Sequence, residues 1–166
     1  GCGRGIARWD GEKLVAYGAG NGFPTAMVFD FQAGFSSSGN PQLYAALRPG
    51  GLATFRDDGT WILQGTATGV PSNDLHTLLI SKQGSSRRTL WIGSIDAGIA
   101  RRDPGQFSLL DERFGLPSRY VHGLGEAVFP DGERNFWVGS VAGARRWHKG
   151  RWESFVPAAF ADRVER

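Results

Sequence analysis

Cysteine is almost absent from this 166-residue chain. Cys2 is the only one, so an intrachain disulfide is excluded and no thiolate cluster exists to hold a metal. Histidine is nearly as scarce, with three residues that lack the spacing of a metal-ligand motif. No run approaches the ~18 consecutive apolar residues of a membrane-spanning helix, and no signal peptide is visible. Charge of one sign is lacking as well: 19 Lys and Arg face 16 Asp and Glu, for a net +3. The arginines are scattered rather than gathered in one patch, which speaks against nucleic acid as a partner. The Gly-x-Ser-x-Gly and His-Glu-x-x-His patterns and the phosphate-binding glycine loop are missing too. Gly1-Cys2-Gly3-Arg4-Gly5 is dense in glycine but leads into no helix. The sequence therefore indicates no metal, no cofactor and no catalytic group.

What is present is glycine, 25 residues of it, and six tryptophans, arranged in a repeat. Gly5, Gly51, Gly98 and Gly143 each open a short apolar run and lie 46, 47 and 45 residues apart. Gly22-Phe23-Pro24, Gly69-Val70-Pro71 and Gly115-Leu116-Pro117 recur at the same interval. So do Leu14, Trp61, Phe107 and Trp152, nine or ten residues after the first set of glycines. A period of about 40–50 residues fits either a helical solenoid or propeller blades. The local pattern favours blades. Apolar runs are short, rich in aromatic and branched residues, and broken by Gly-Gly, Asp-Gly and Pro-Gly. Each unit carries about four such runs, for example Leu75–Ser81, Thr89–Ser94, Gly98–Arg102 and Phe107–Leu110. Four short strands per unit is the content of one propeller blade.

The expected fold is therefore all-β: four-stranded antiparallel β-propeller blades in a single segment, with units near 1–20, 21–66, 67–113 and 114–157. That is three full blades and a partial one. Propellers typically close with about 4–8 blades, so the chain is expected to be a piece of a larger propeller, or an array completed by other blades or a second copy. Isolated, it is expected to dimerise or aggregate through uncovered sheet faces. Val156–Arg166 is read as a short helix or the lead into a further blade. Trp61, Trp91, Trp137, Trp147, Trp152 and Phe55 are expected to pack between blades. Arg8, Arg101 and Arg146 share one repeat position and are expected to tie neighbouring blades together.

His76 and His122 each lie five residues after the proline of the Gly-x-Pro landmark, and Phe29 is their counterpart. If these positions begin the innermost strands, both imidazoles fall near the central channel. Propeller ligands sit over that channel, on the loops leading into the innermost strands and those between the middle strands. On that basis the ligand-binding candidates are Arg48, Asn73, Asp74, His76, Asp96, Arg119, Tyr120 and His122.

One stretch carries a family likeness. Gly115-Leu116-Pro117-Ser118 with Val121, Leu90-Trp91-Ile92-Gly93-Ser94 with Gly98-Ile99, and the aromatic strand that follows resemble the two-component regulator propeller repeat. The resemblance spans nearly the whole chain. It departs at Leu43-Tyr44-Ala45-Ala46-Leu47, which lacks the Trp and Gly, and the acidic turn before Trp-Ile-Gly survives only near Asp131-Gly132. The resemblance implies a periplasmic sensor region of a bacterial signalling protein, non-catalytic itself. A kinase or diguanylate cyclase output would lie in a domain this chain lacks, and the ligand would be a small molecule or carbohydrate. The alternatives are a protein–protein scaffold, and a propeller lyase with His76 or His122 as base.

Overall fold

In the computed structural model the described residues are 5–36, 38–83, 87–103 and 106–155. The expectations for Cys2, the first glycines and the 156–166 stretch lie outside them. Fourteen strands form: β1 (Ile6–Trp9), β2 (Leu14–Tyr17), β3 (Met27–Phe35), β4 (Pro41–Arg48), β5 (Gly51–Phe55), β6 (Trp61–Gln64), β7 (Leu75–Gln83), β8 (Arg87–Ser94), β9 (Ile99–Asp103), β10 (Gln106–Leu110), β11 (Val121–Val128), β12 (Arg134–Ser140), β13 (Gly143–His148) and β14 (Arg151–Phe155). They pair antiparallel with their sequence neighbours. The result is one two-stranded sheet, β1–β2, and three four-stranded meanders, β3–β6, β7–β10 and β11–β14. The fold is the expected all-β run of propeller blades. The innermost strands β3, β7 and β11 lie side by side, β7 in the middle.

The connections explain the Gly-x-Pro landmark. Each blade hands on to the next through a one-turn 3-10 helix, at Ala19–Asn21, Thr66–Thr68 and Glu112–Phe114. The glycine that ends each turn adopts a left-handed φ of 83°, 92° or 82°, a region that disfavours any residue with a Cβ. The next residue turns inward. Phe23, Val70 and Leu116 are all buried. Their amides donate back across the turn to the carbonyls of Gly18, Gly65 and Asp111 at 3.1, 3.1 and 3.3 Å. Burying a side chain such as Phe23 contributes roughly 1.5–3 kcal/mol, so each connection is fastened at a hydrophobic anchor. These 3-10 turns were not apparent in the sequence, where they are too short for a periodic signal.

Between blades, single layers of side chains serve two sheets. Tyr44, Ala46 and Leu52 of the second sheet meet Leu78, Leu90, Ile92 and Ala100 of the third. Strand alternation turns Ala45 and Leu47 the other way, onto Ile6, Phe23 and Ala53. On the far side of the third sheet Trp91 and Ile99 meet Val121, Val138 and Phe136 of the fourth. The Trp91 and Phe136 rings stand 4.8 Å apart, and the indole N–H of Trp91 donates to Ser81 Oγ at 2.9 Å. Trp61 fills the same role earlier, edge-on to Phe23 at 4.8 Å. Trp147 instead packs within its own sheet against Trp152. The arginine expectation needs correcting at Arg146. Its carboxylate partner is Glu153, 2.6 Å away on the neighbouring strand of the same sheet, not on another blade.

The shared layer demands a small residue beside each large ring. A Cβ on Gly93 would come within 2.6 Å of Thr77 Cγ2 and 2.8 Å of Val121 Cγ1, whereas one on the equivalent Gly139 meets nothing closer than 3.8 Å. Gly93→Ala should therefore destabilise by about 1–3 kcal/mol through overpacking. Gly139→Ala should stay within about 0.5 kcal/mol of the parent. Urea midpoints of the two variants test the pair, and equal losses would refute the packing assignment.

Candidate functional site

Each innermost strand contains one irregularity, always at the same repeat position. The pairing registers of β3 with β4, β7 with β8 and β11 with β12 shift between Val28 and Asp30, Leu75 and Thr77, and Val121 and Gly123. The skipped residues are Phe29, His76 and His122. A β-bulge leaves its extra residue outside the ladder and re-aims its side chain. Here it brings three rings from three blades into contact. Phe29 and His76 lie 4.7 Å apart at 36°, and His76 and His122 lie 5.2 Å apart at 89°. Tyr120, two residues ahead of His122, extends the series at 4.5 Å and 38°. At the other end the Arg48 guanidinium sits over the Phe29 ring, 5.6 Å from its centre. Asp74 approaches Arg48 at 4.0 Å, with both side chains half-buried.

The loops around this series are held by main-chain bonds between blades. Gly50 and Gly51 amides donate to the Asn73 carbonyl at 2.9 Å, and the Gly98 amide donates to the Arg119 carbonyl at 3.0 Å. Ile95 N–H donates to the Asp74 carbonyl at 3.1 Å within one blade. Ser72 and Ser118 hydroxyls accept from the amides of Asp74 and Tyr120 at 2.8 and 3.0 Å, which fixes the Pro-Ser turn leading into each strand. The loops into the innermost strands and those between the middle strands thus share one end of the sheets.

Of the eight candidates, the structure gathers Arg48, Asp74, His76, Tyr120 and His122 into this series. Asp96 lies nearby, exposed in the β8–β9 loop. Asn73 and Arg119 are engaged elsewhere. The Asn73 carboxamide accepts from Thr66 N–H at 2.9 Å and donates to Thr66 Oγ1 at 3.2 Å, securing the preceding 3-10 turn. Arg119 pairs with Glu112 at 3.2 Å. Two contributors were not among the candidates. The sequence marks Phe29 only as the repeat counterpart of the two histidines. Asp30 gave no signal, because Thr77 and Gly123 replace it in the later repeats. Its carboxylate crosses from β3 to the neighbouring blade, accepting from Leu78 N–H at 2.7 Å and Thr77 Oγ1 at 3.3 Å, and from its own neighbour Phe31 N–H at 2.7 Å.

Electrostatics at the series centre on His76. Its Nδ1 is shut off from solvent without a hydrogen-bond partner. Burial holds its pKa below the ordinary 6.5, reinforced by His122 and the Arg48 charge, with Asp30 opposing. Among the described residues no group of three or more His, Cys, Asp or Glu is arranged to hold a metal, and no helix is long and apolar enough to cross a membrane. Chemically, the arrangement offers ring faces, one guanidinium and two imidazoles along one end of three adjoining strands.

Fold and site together define a run of β-propeller blades with an aromatic and cationic series on its innermost strands. No family model and no curated protein sequence matches the chain, so the repeat resemblance rests on the residues that carry it.

Two measurements follow. Asp30→Ala should cost about 1.5–3 kcal/mol, since it deprives the Leu78 amide of a charged acceptor, and a loss below about 0.5 kcal/mol by urea denaturation would count against the inter-blade tie. For His76 the folded pKa lies below the unfolded one, so the unfolded chain takes up the proton first as pH falls. The contribution is whole above 6.5 and declines as pH drops from there through the folded value. The lowered carboxylates, Asp10, Asp58, Asp111 and Glu153, start from 3.8 or 4.5 and act only further down. The urea midpoint should therefore fall between about pH 7.5 and 5.5, and His76→Phe should lessen that fall. An unchanged slope would refute it.

Proposed function

We propose that the chain is a non-catalytic, ligand-binding β-propeller segment of a bacterial signalling protein, of the two-component or diguanylate cyclase kind, and that it works in the periplasm. The signalling and compartment parts of this reading are supported by the repeat resemblance alone. The ligand-binding part is carried by one observation: three bulges at one repeat position deliver Phe29, His76 and His122 to a common place, flanked by Tyr120 and Arg48. Bulges that re-aim side chains are a recurrent device beside binding sites, and a packed scaffold alone does not require them. Among the described residues neither imidazole is oriented by a hydrogen-bonded carboxylate, the arrangement that activates a base, and this favours binding over a lyase. The ligand is a small molecule or carbohydrate that stacks on the rings.

A second reading, assembly with other blades or another copy, is favoured by Trp9 and Leu14. These cross-strand partners on the two-stranded sheet are 61% and 69% exposed, an apolar pair of the kind that marks contact surfaces.

Thermal denaturation against a panel of mono- and oligosaccharides and small metabolites tests the two. A true ligand at about a hundredfold excess over Kd should add about 2.7 kcal/mol, or roughly 5–10 °C. A Phe29→Ala, His122→Ala variant should lose most of that shift. If no compound moves the wild-type transition while light scattering shows a Trp9-dependent oligomer, the assembly reading replaces the first.

A further inference from the structure

The ring series holds hydrogen-bonding capacity that the fold leaves unused. The Arg48 guanidinium makes no hydrogen bond to a described residue, and its one ionic neighbour, Asp74, stands at 4.0 Å. Its central carbon lies over the Phe29 ring, 5.6 Å from the ring centre. His76 Nδ1 has no partner among the described residues and is itself shut off from solvent, so only the other ring nitrogen could meet a ligand without rearrangement. His122 is exposed and lies against the rings of His76 and Tyr120. The Tyr120 hydroxyl forms no hydrogen bond with a described residue. So a guanidinium, two imidazoles and a phenol, all able to donate, are strung along one end of adjoining strands. The acidic groups facing them are few. From β3, Asp30 is committed to the Leu78 and Phe31 amides and the Thr77 hydroxyl. Before β7, Asp74 is the only other carboxylate in the series, with Asp96 exposed beyond it. Glu112 is engaged with Arg119.

Donors without acceptors, on a half-buried surface lined by ring faces, suit an organic anion. A planar fork fits a carboxylate in two parallel hydrogen bonds, and the rings supply a stacking surface for the body attached to it. We propose that this surface binds a small organic carboxylate, its charged group held by the Arg48 fork beside His76, its body laid along the rings of Phe29, His76 and His122. This rests on the ligand-binding reading above and specifies the ligand's chemistry. It also couples binding to protons. Burial, His122 and Arg48 lower the proton affinity of His76, and an anion placed beside it opposes them. Binding then favours the protonated form of His76, and by linkage affinity rises as pH falls.

The three histidines supply the test. His76 and His122 lie in the series, while His148 lies on β13 beside Glu133 and Glu153, so it serves as an internal reference. Imidazole carbon-bound proton signals are followed by NMR as the full chain is titrated with benzoate, benzamide and inorganic phosphate, at about pH 6 and about pH 8. The expected result is saturable movement of the His76 and His122 signals with benzoate, tighter at the lower pH, and little movement of His148. Benzamide and phosphate should bind at least about tenfold more weakly, each lacking the charge or the ring. Arg48→Gln should weaken benzoate about tenfold, and Arg48→Lys, which keeps the charge without the fork, should fall between. An undisturbed His148 signal shows that either variant is folded, and the pH dependence of the wild type stands without them.

Equal binding of benzamide and benzoate would overturn the anion and keep the ligand site. Binding of phosphate as tight as benzoate would overturn the organic carboxylate. No movement with any of the three would overturn the proposal, and the saccharide and metabolite panel then decides separately whether the wider reading stands.

Discussion

Two β-sheets lie face to face in this chain at the cost of a constraint that reaches into every strand: one layer of side chains must satisfy both. A sheet packed on both sides has no solvent face. Its residues are therefore apolar in runs rather than alternation, as in Leu43–Leu47, where Tyr44 and Ala46 serve one neighbour and Ala45 and Leu47 the other. Large rings fill the layer only where a small residue makes room. Tyr44 stands by Ala46, and Trp91 by Gly93, whose missing side chain admits Val121. The tight approach of the sheets then brings β3, β7 and β11 alongside one another, and the site is a consequence of that approach.

The site adds two departures from regular pairing. Bulges release Phe29, His76 and His122 from their ladders, and one carboxylate, Asp30, supplies the acceptor that the bulged β7 needs at the Leu78 amide. An innermost-strand amide without an acceptor is costly when buried, and Asp30 meets that need across the blade boundary two residues beyond the bulge. Arg48 and Asp74 approach from the loops on either side, and the surface becomes cationic and aromatic without a continuous basic patch.

Periodicity made most of this fold legible beforehand. Glycines at fixed intervals, Gly-x-Pro turns and short aromatic runs are local features, and they specified the blade, its strand count and the end at which loops gather. The observed strands run within a few residues of those expected. Five of the eight candidate residues came together because position in the repeat is position in space. What stayed illegible depends on contacts between distant segments. A bulge is a mismatch between two strands and has no signature on either alone. Asp30 has no repeat counterpart, so its crossing could not be inferred by analogy. Asn73 has the composition and placement of a ligand residue, yet Thr66 lies within reach and takes its carboxamide. Arg146 shows the converse, since a recurrent position suggested a recurrent role that Glu153 on the next strand overrides.

The bonds joining the loops of adjacent blades, Gly50 and Gly51 to Asn73 and Gly98 to Arg119, run from amide to carbonyl. Nothing in them depends on the side chains at Asn73 and Arg119, while the donor positions take glycine, since a Cβ on Gly51 or Gly98 would run into the carbonyl of Gln64 or Leu110. A blade joined to the next by its backbone is an interchangeable part: it can be copied, and its loop residues rewritten, without re-inventing the joint. Divergent surface chemistry and a constant frame are therefore compatible in one chain, and the aromatic series on these three blades is one inscription among the many that the same joint would carry.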